Sequence, residues 1–529
     1  MHPGKNIRSH LTLCSAAVLA FFASAATRAD VEMPAVFGNR MVIQRGQPVR
    51  VWGRADAGEK IAVALAGHTA AATADASGTW SVALPPLQVL PPGAQPLRLE
   101  VAGKNKLAFH QILVGDVWLC SGQSNMFFQL RQSARAEADV AAATRPGIRL
   151  FSVDRAVADG PQFTCKGKWA DCTPETAARF SAVAYFFGLQ WQADNGGIPV
   201  GLIHSSWGGT TAEAWTPRAV LDADSDLKPI LTRWDETMAD FPKIKADFEA
   251  NKERLVAEWK IAVQKAKAEG RMLPAEPRLR TGPGTQYQPA GLYHAMITPL
   301  APFALSGVLW YQGEGNAQRA HQYRKLFPAM IRSWRDLWNR DDLPFLYVQL
   351  PNLARQPEPS RSGWAELREA QLRALALPHT AMAVTIDVGD PGDLHPKEKL
   401  PVGRRLASAA GSLFGLRPPA DGICPYPRSH KIQGREIRVQ FSPSTVALRT
   451  RDGGEPHGFT IAGTDKQFVP ARARLEGNAI VIWSDTVEKP AAARYAWADN
   501  PDCNIVSAAG LPASPFRTDD WPEVTFGNR

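Results

Sequence analysis

Ser124, His395 and Asp393 are residues from which a nucleophile, its base and the carboxylate that orients the base can be assembled. Ser124 lies in Gly115-Asp116-Val117-Trp118-Leu119-Cys120-Ser121-Gly122-Gln123-Ser124-Asn125-Met126, where an apolar run passes straight into a Gly-containing turn and a helix start. Its hydroxyl would stand at the carboxyl end of a strand and on a helix N-terminus. There the dipole and unbonded N–H groups stabilise negative charge developing on an oxygen. A serine in this position can also be no more than a helix cap. The α/β-hydrolase nucleophile elbow needs glycine two residues after the serine. Met126 occupies that position, so the turn follows a different serine-hydrolase design.

Three further segments follow strand-like runs. Ser205-Ser206-Trp207-Gly208-Gly209-Thr210-Thr211 carries two glycines, and either Gly208 or Gly209 can bring a backbone N–H close to a ligand oxygen. Trp310-Tyr311-Gln312-Gly313-Glu314-Gly315-Asn316 packs polar side chains into a Gly-rich loop. The Asn316 amide can donate to the oxyanion that the Ser124 and glycine N–H groups would face, with Gln123, Gln312 and Glu314 as supporting residues. Asp387-Val388-Gly389-Asp390-Pro391-Gly392-Asp393-Leu394-His395-Pro396 holds the base. In extended chain Asp393 and His395 point to the same side, so the carboxylate can hold the imidazole tautomer that accepts a serine proton. Asp390 is the alternative acid.

These segments need a scaffold that presents several strand ends together. From Leu107 onward strand-like runs alternate with helical stretches: Ile112 to Cys120 with a helix from about Asn125, Val200 to Ser205, Ser306 to Trp310 with a helix from about Tyr323, Phe345 to Leu350 with a helix across Trp364 to Ala376, and Ala381 to Ile386. Such alternation predicts a parallel sheet with helices on both faces and a site beyond the carboxyl ends of its strands. Residues 30–106 read instead as short strands divided by Gly and Pro, the pattern of a small β-sandwich, and strands return over 418–529. The α/β region thus occupies 107–417. It is interrupted at about 221–270 by a charged helical insertion in which Phe248, Leu255, Trp259 and Val263 recur at helical spacing.

Residues 1–29 read as a secretory signal, with Lys5 and Arg8 before the apolar run Leu11 to Ala23 and small residues ahead of Asp30. The run is too short to span a membrane, and the predicted location is periplasmic or extracellular. The formal charge of +9 falls to +6 once Lys5, Arg8 and Arg28 leave. The remaining basic residues form no block, which argues against a nucleic-acid partner. Export permits disulfides, and the spacing suggests Cys165 with Cys172 and Cys424 with Cys503, leaving Cys120 as a buried thiol. No Cys or His cluster has metal-ligand spacing. The 16 Trp offer platforms for sugar rings, although a core position is the commoner use.

The strings GQSNM, WGGT, WYQGEGN and DLHP resemble the four blocks of the SGNH hydrolase superfamily and, more narrowly, the sialate O-acetylesterase family and its carbohydrate-esterase relatives. The resemblance extends to FGNRMVIQRGQPVRVWG near the N-terminus and covers most of the chain after the signal. It implies an SGNH-hydrolase (flavodoxin-like) α/β parallel-sheet sandwich flanked by β-sandwich-type regions. It further implies Ser124 as nucleophile, His395 as base, and an oxyanion hole from the Ser124 N–H, a Gly208 or Gly209 N–H and Asn316. Many superfamily members place the acid three residues before the histidine, where this chain has Gly392. The implied reaction removes acetyl groups from an acetylated carbohydrate through an acetyl-enzyme, without a cofactor. Sialic acid is one substrate reading and acetylated xylan or xyloglucan another. A non-catalytic carbohydrate-binding protein is the reading from outside enzymes.

Overall fold

A computed structural model describes residues 30–269, 273–274, 276–279, 281–354 and 362–528. The predicted signal segment, and the export it implies, lie outside the described residues.

Seven strands form the central sheet: β1 (Lys106–Gly122), β2 (Arg145–Val153), β3 (Gly167–Cys172), β4 (Val200–Ser206), β5 (Gly307–Tyr311), β6 (Phe345–Val348) and β7 (Thr380–Ala383). Their order is β7-β6-β5-β1-β4-β2-β3, and every pairing is parallel except β2 with β3. In this variation on the flavodoxin order, β4 rather than β2 lies beside β1. Chain segments before β5 build one side of β1 and those after it build the other. The carboxyl end of β1 therefore sits at the switch point, where open α/β sheets place their ligands.

Alternation along the strands divides the apolar residues between two cores. Trp118 and Cys120 of β1 join Leu202, Leu309 and Leu346 on one face, covered by α2 (Ala182–Asp194), which packs against Leu400–Leu413. Val117 and Leu119 join Ile203, Val308, Trp310 and Phe345 on the other, covered by Phe327, Met330 and Trp334 of Ala320–Trp338. Strands buried on both faces read as the continuous apolar runs seen in the sequence.

Among the N-terminal strands, Val42–Gln44 runs parallel to β1, and the others pair antiparallel, Val49–Arg54 with Thr79–Leu84 and Lys60–Leu65 with both His68–Thr73 and Leu97–Ala102. β1 belongs to this region as well. Its first part pairs antiparallel with Leu97–Ala102 and its last part forms the centre of the parallel sheet, so the division expected at 106/107 falls at the start of one continuous strand. The join is pinned at buried Asp116, which accepts Arg45 Nε at 2.8 Å, Arg45 Nη2 at 3.1 Å and Trp191 Nε1 at 2.8 Å.

The insertion is one 41-residue helix, α3 (Lys228–Ala268), in which only Ile230, Leu231 and Ala266 are buried among the described side chains. Its apolar stripe is half-buried, and Trp259 Nε1 donates to the Pro274 carbonyl at 2.9 Å. At the far end, Tyr426–Gln433, Glu436–Ser442, Ala479–Trp483 and Arg472–Glu476 form one antiparallel sheet, and a second contains Phe459–Ala462 and Ala492–Tyr495. Arg368 of Gly363–Arg373 is fully buried and donates to the Ala498 and Asp499 carbonyls, seating this region on the α/β core.

Neither expected disulfide is present, and Cys120, Cys165, Cys172, Cys424 and Cys503 are all free thiols. Cys165 packs at the margin of one core and Cys172 within the other, so a short sequence separation straddles the sheet. Cys424 Sγ accepts the Val384 N–H at 3.4 Å, while Cys503 sits beside the Tyr495 hydroxyl. Most of the Trp side chains are buried.

Candidate active site

Ser124 opens a turn that the end of β1 forces into place. Gly122 has φ 137°, and a Cβ there would lie 2.1 Å from the Tyr311 carbonyl oxygen, so only glycine fits. The Gln123 N–H then donates to Tyr311 O at 2.9 Å, tying the ends of β1 and β5 together. The helix expected from about Asn125 is a single turn, α1 (Ser124–Phe127), because Phe128 and Gln129 become extended. So short an element adds little macrodipole. What remains is the local supply of first-turn N–H groups, including that of Ser124.

The second segment closes over this turn. The Trp207 N–H donates to Gly122 O at 3.1 Å. A Cβ built on Gly208 would lie 3.3 Å from Ser124 Cβ, whereas one on Gly209 (φ 76°) would face Gln286 Nε2 and Tyr287 Oη at 3.5 Å. Gly208 is thus the glycine packed against Ser124. Its carbonyl accepts Gln286 Nε2 at 2.8 Å, from a segment beyond the insertion.

In the third segment, Gln123 Oε1 accepts the Gly313 N–H at 3.4 Å and the Gly315 N–H at 3.2 Å. Gln312 Nε2 donates to Thr210 O at 3.2 Å and to Asn316 Oδ1 at 2.7 Å, and Gln312 Oε1 accepts the Tyr323 hydroxyl at 2.9 Å. Asn316 is buried. Its Oδ1 also accepts the Ala212 N–H at 2.9 Å, and its Nδ2 donates to Glu213 Oε2 at 2.8 Å, with Arg319 on the other Glu213 oxygen at 3.0 Å. One hydrogen of that amide is thereby committed and the second has no partner among the described residues.

His395 is partly buried, with Nδ1 3.9 Å from Asp393 Oδ1, longer than a hydrogen bond. The same oxygen accepts the His395 backbone N–H at 2.8 Å, which sets the carboxylate beside the ring. Asp390 is exposed and its Oδ1 accepts the Gly392 N–H at 2.9 Å. Of the two carboxylates, Asp393 is the one at the imidazole. His395 Nε2 is buried without a partner. Burial holds the imidazole below its usual pKa, Asp393 pulls it up and Lys399 pushes it down. Catalytic hydrogen bonds often tighten only once substrate is bound.

What brings the histidine loop to the serine turn is Asn125, which lay outside the candidate set. Its Nδ2 donates to Leu394 O at 3.1 Å and to Glu314 Oε1 at 2.5 Å, and its Oδ1 accepts Lys399 Nζ at 2.6 Å. Glu314 is buried, and desolvation raises its pKa against the pull of Asn125 and Lys399. Lys399 is 1% exposed, and burial brings it down to about 7 against the pull of Glu314 and Asp393.

Beyond the serine, Arg155 lies over the Phe127 ring at 4.1 Å and the Trp207 ring at 5.8 Å. Burial lowers its pKa and Arg278 lowers it further; among the described residues no carboxylate pairs with it. Phe127 belongs to the Ser124 turn and Trp207 precedes Gly208, so two aromatic rings and a guanidinium without a paired carboxylate among the described residues flank the serine turn. No group of three or more His, Cys, Asp or Glu among the described residues is placed to hold a metal ion.

A family model described as carbohydrate esterase, sialic acid-specific acetylesterase matches residues 283–412, the stretch that carries the third and fourth segments. Sialate O-acetylesterase of Mus musculus is 30% identical over 530 residues, covering 90% of this chain and 92% of that protein. The Rattus norvegicus sialate O-acetylesterase is 28% identical over 521 residues, with the same two coverages, 90% and 92%. Among solved structures, a carbohydrate acetylesterase from Xanthomonas citri superposes with a TM-score of 0.77 at 36% identity, over 93% of this chain and 100% of that one.

Proposed function

The chain belongs to the sialate O-acetylesterase family of carbohydrate esterases and is a carboxylic ester hydrolase, and from that premise we propose that it removes O-acetyl groups from an acidic sugar through an acetyl-enzyme. The observation that carries the reading is the convergence of the Ser124 turn, Gly208 and the His395 loop at the switch point of the sheet.

In this scheme Ser124 Oγ attacks the acetyl carbonyl carbon as its proton passes to His395 Nε2, with Asp393 holding the ring and offsetting its positive charge. The carbonyl oxygen becomes an oxyanion facing the Ser124 and Gly208 N–H groups and the second hydrogen of the Asn316 amide. The C–O bond to the sugar breaks, and the departing oxygen takes the proton from His395. Water then adds to the acetyl-serine with His395 again accepting a proton, and acetate leaves with the serine restored. No step requires a cofactor. The sequence signal at 1–29 adds export to the periplasm or the medium.

Arg155, stacked on Phe127 and Trp207 and unpaired by any described carboxylate, favours a substrate that bears its own carboxylate. Acetylated sialic acid meets that description; acetylated xylan and xyloglucan do not. Acetate release from these three substrates tests the choice, with preference for the neutral glycans overturning it. Ser124→Ala tests the mechanism. Loss of the nucleophile should lower the rate by on the order of 10⁴-fold or more with folding intact, and retention of about a tenth of wild-type activity removes Ser124 from the role.

A further inference from the structure

Directly behind Ser124 and His395 lies a buried polar cluster that the reaction scheme leaves unused. Its centre is the Asn125 side chain, whose Nδ2 reaches both Glu314 Oε1 (2.5 Å) and Leu394 O (3.1 Å) and whose Oδ1 accepts Lys399 Nζ at 2.6 Å. One amide thus touches the serine turn, the third segment and the histidine loop. Lys399, the residue before α4 (Leu400–Leu413), closes the set. Its ammonium is covered by the faces of Phe128 (4.8 Å) and Tyr311 (5.6 Å). Among the described residues no carboxylate lies within ion-pair distance of it, and Glu314 and Asp393 act only at longer range. Burying an ammonium without a directly paired carboxylate is unfavourable unless other contacts compensate. A leucine or methionine would fill the same space at the start of a helix more cheaply.

We propose that Lys399 is a positioning residue for ester hydrolysis: through Asn125 it locks the Ser124 turn, the Glu314 loop and the His395 loop into one unit, and its positive charge acts on the imidazole from the start of the following helix. The proposal rests on the assignment of Ser124 and His395 made above. The charged groups facing His395 are Asp393 from its own loop and Lys399 from the start of α4, while Glu314 faces Lys399 from the third segment. A positive neighbour disfavours the imidazolium, and Lys399, brought down to about 7 by burial, still carries its charge through the acid range where His395 takes up a proton. Removing the charge therefore lets His395 hold its proton to higher pH, and activity fails earlier as pH falls.

The test is kcat/KM on a chromogenic acetyl ester across the acid range for the wild type, Lys399→Gln, Lys399→Met and Lys399→Arg, each checked by thermal melting. Lys399→Gln keeps a donor for Asn125 Oδ1 without the charge, and it remains informative where Lys399→Met fails to fold. The acid limb should move up by at least about half a pH unit in both neutral variants and stay near the wild-type position in Lys399→Arg. In Lys399→Met, which also loses the link to Asn125, the plateau should fall by a further factor of about ten. Folded neutral variants whose acid limb superimposes on the wild type overturn the proposal. An active Ser124→Ala would instead overturn the underlying assignment, whatever the Lys399 variants do.

Discussion

Gly208→Ala is the substitution that probes the oxyanion side of the site most directly. The added Cβ would lie 3.3 Å from Ser124 Cβ, 3.6 Å from Ser124 Cα and 3.9 Å from Ser124 N. Carbon atoms rest at about 3.5–4.0 Å, so the two turns must separate by a few tenths of an ångström. The movement cannot be shed easily. Trp207 is held by Gly122 O on one side of the glycine and Gln286 holds the Gly208 carbonyl on the other. Gly208 is not in the left-handed region, so alanine adds no backbone strain and stability should change by less than about 1 kcal/mol. Complete loss of one oxyanion donor costs about 10²- to 10³-fold in kcat, and a displaced donor should cost about ten- to a hundredfold. KM should hardly change, because the donor acts on charge that develops later. Gly209→Ala is the contrast: at φ 76° it should lose about 1–2 kcal/mol of stability, with the smaller effect on kcat. The assay is steady-state hydrolysis of a chromogenic acetyl ester alongside thermal melting. Gly208→Ala retaining more than half the wild-type kcat, or Gly209→Ala proving the more crippled catalyst, refutes the assignment of the donor.

Substitutions at four further positions separate one role from another. Asp393→Asn should lower kcat by about 10²- to 10⁴-fold and Asp390→Asn by less than about threefold, and the reverse ranking would move the acid to Asp390. Asn316→Ala should lower kcat by about 10²- to 10³-fold with KM nearly constant, and Asn316→Asp should be at least as damaging; a raised KM at normal kcat would make Asn316 a ground-state contact. Asp116→Ala strands Arg45 and the Trp191 N–H at the join between the N-terminal strands and the sheet. Because Arg45 is 38% exposed, the loss should fall short of the full penalty for breaking a buried pair, at about 2 kcal/mol, seen as a Tm lower by several degrees with kcat intact.

The strand ends that carry the four segments were legible because each is an apolar run buried on both faces and ended by glycine or a polar loop, as in Val200–Ser206 and Gly307–Tyr311. The elements behind them were legible for the same reason, down to the helix across Trp364 to Ala376, which continues from Gly363–Arg373 into a 3-10 turn at Ala374–Ala376. What stayed hidden depends on which distant segments meet. Asn125 and Lys399 are 274 positions apart, and nothing in either neighbourhood marks them as partners, although a lysine four residues after the base, at the head of a helix, was available as a signal. The cysteine pairing failed on the same point, since spacing along the chain says nothing about which face of a sheet a thiol enters. The single turn after Ser124 was misread as a longer helix because a strand–turn–helix junction normally continues, whereas here the Phe128 carbonyl accepts the Ala182 N–H at 2.8 Å instead.

That short turn bears on how the serine is held. A long helix would fix Ser124 through its own i→i−4 ladder, and a four-residue turn cannot. The restraint comes from neighbouring strand ends: Tyr311 O takes the Gln123 N–H, Gly122 O takes the Trp207 N–H, and Leu394 O takes the Asn125 amide. Each bond joins a different candidate segment to the one that carries Ser124. Among the buried polar atoms without a partner in the described residues, Ser121 Oγ, Glu314 Oε2 and His395 Nε2 lie on the segments that these bonds join. Each such group costs about 1–3 kcal/mol, a cost that a purely structural junction would avoid by using apolar residues. Departures of this kind from local consistency are expected at functional sites. Three of them sit where the cross-links meet the serine turn, the same place that the sequence motifs mark.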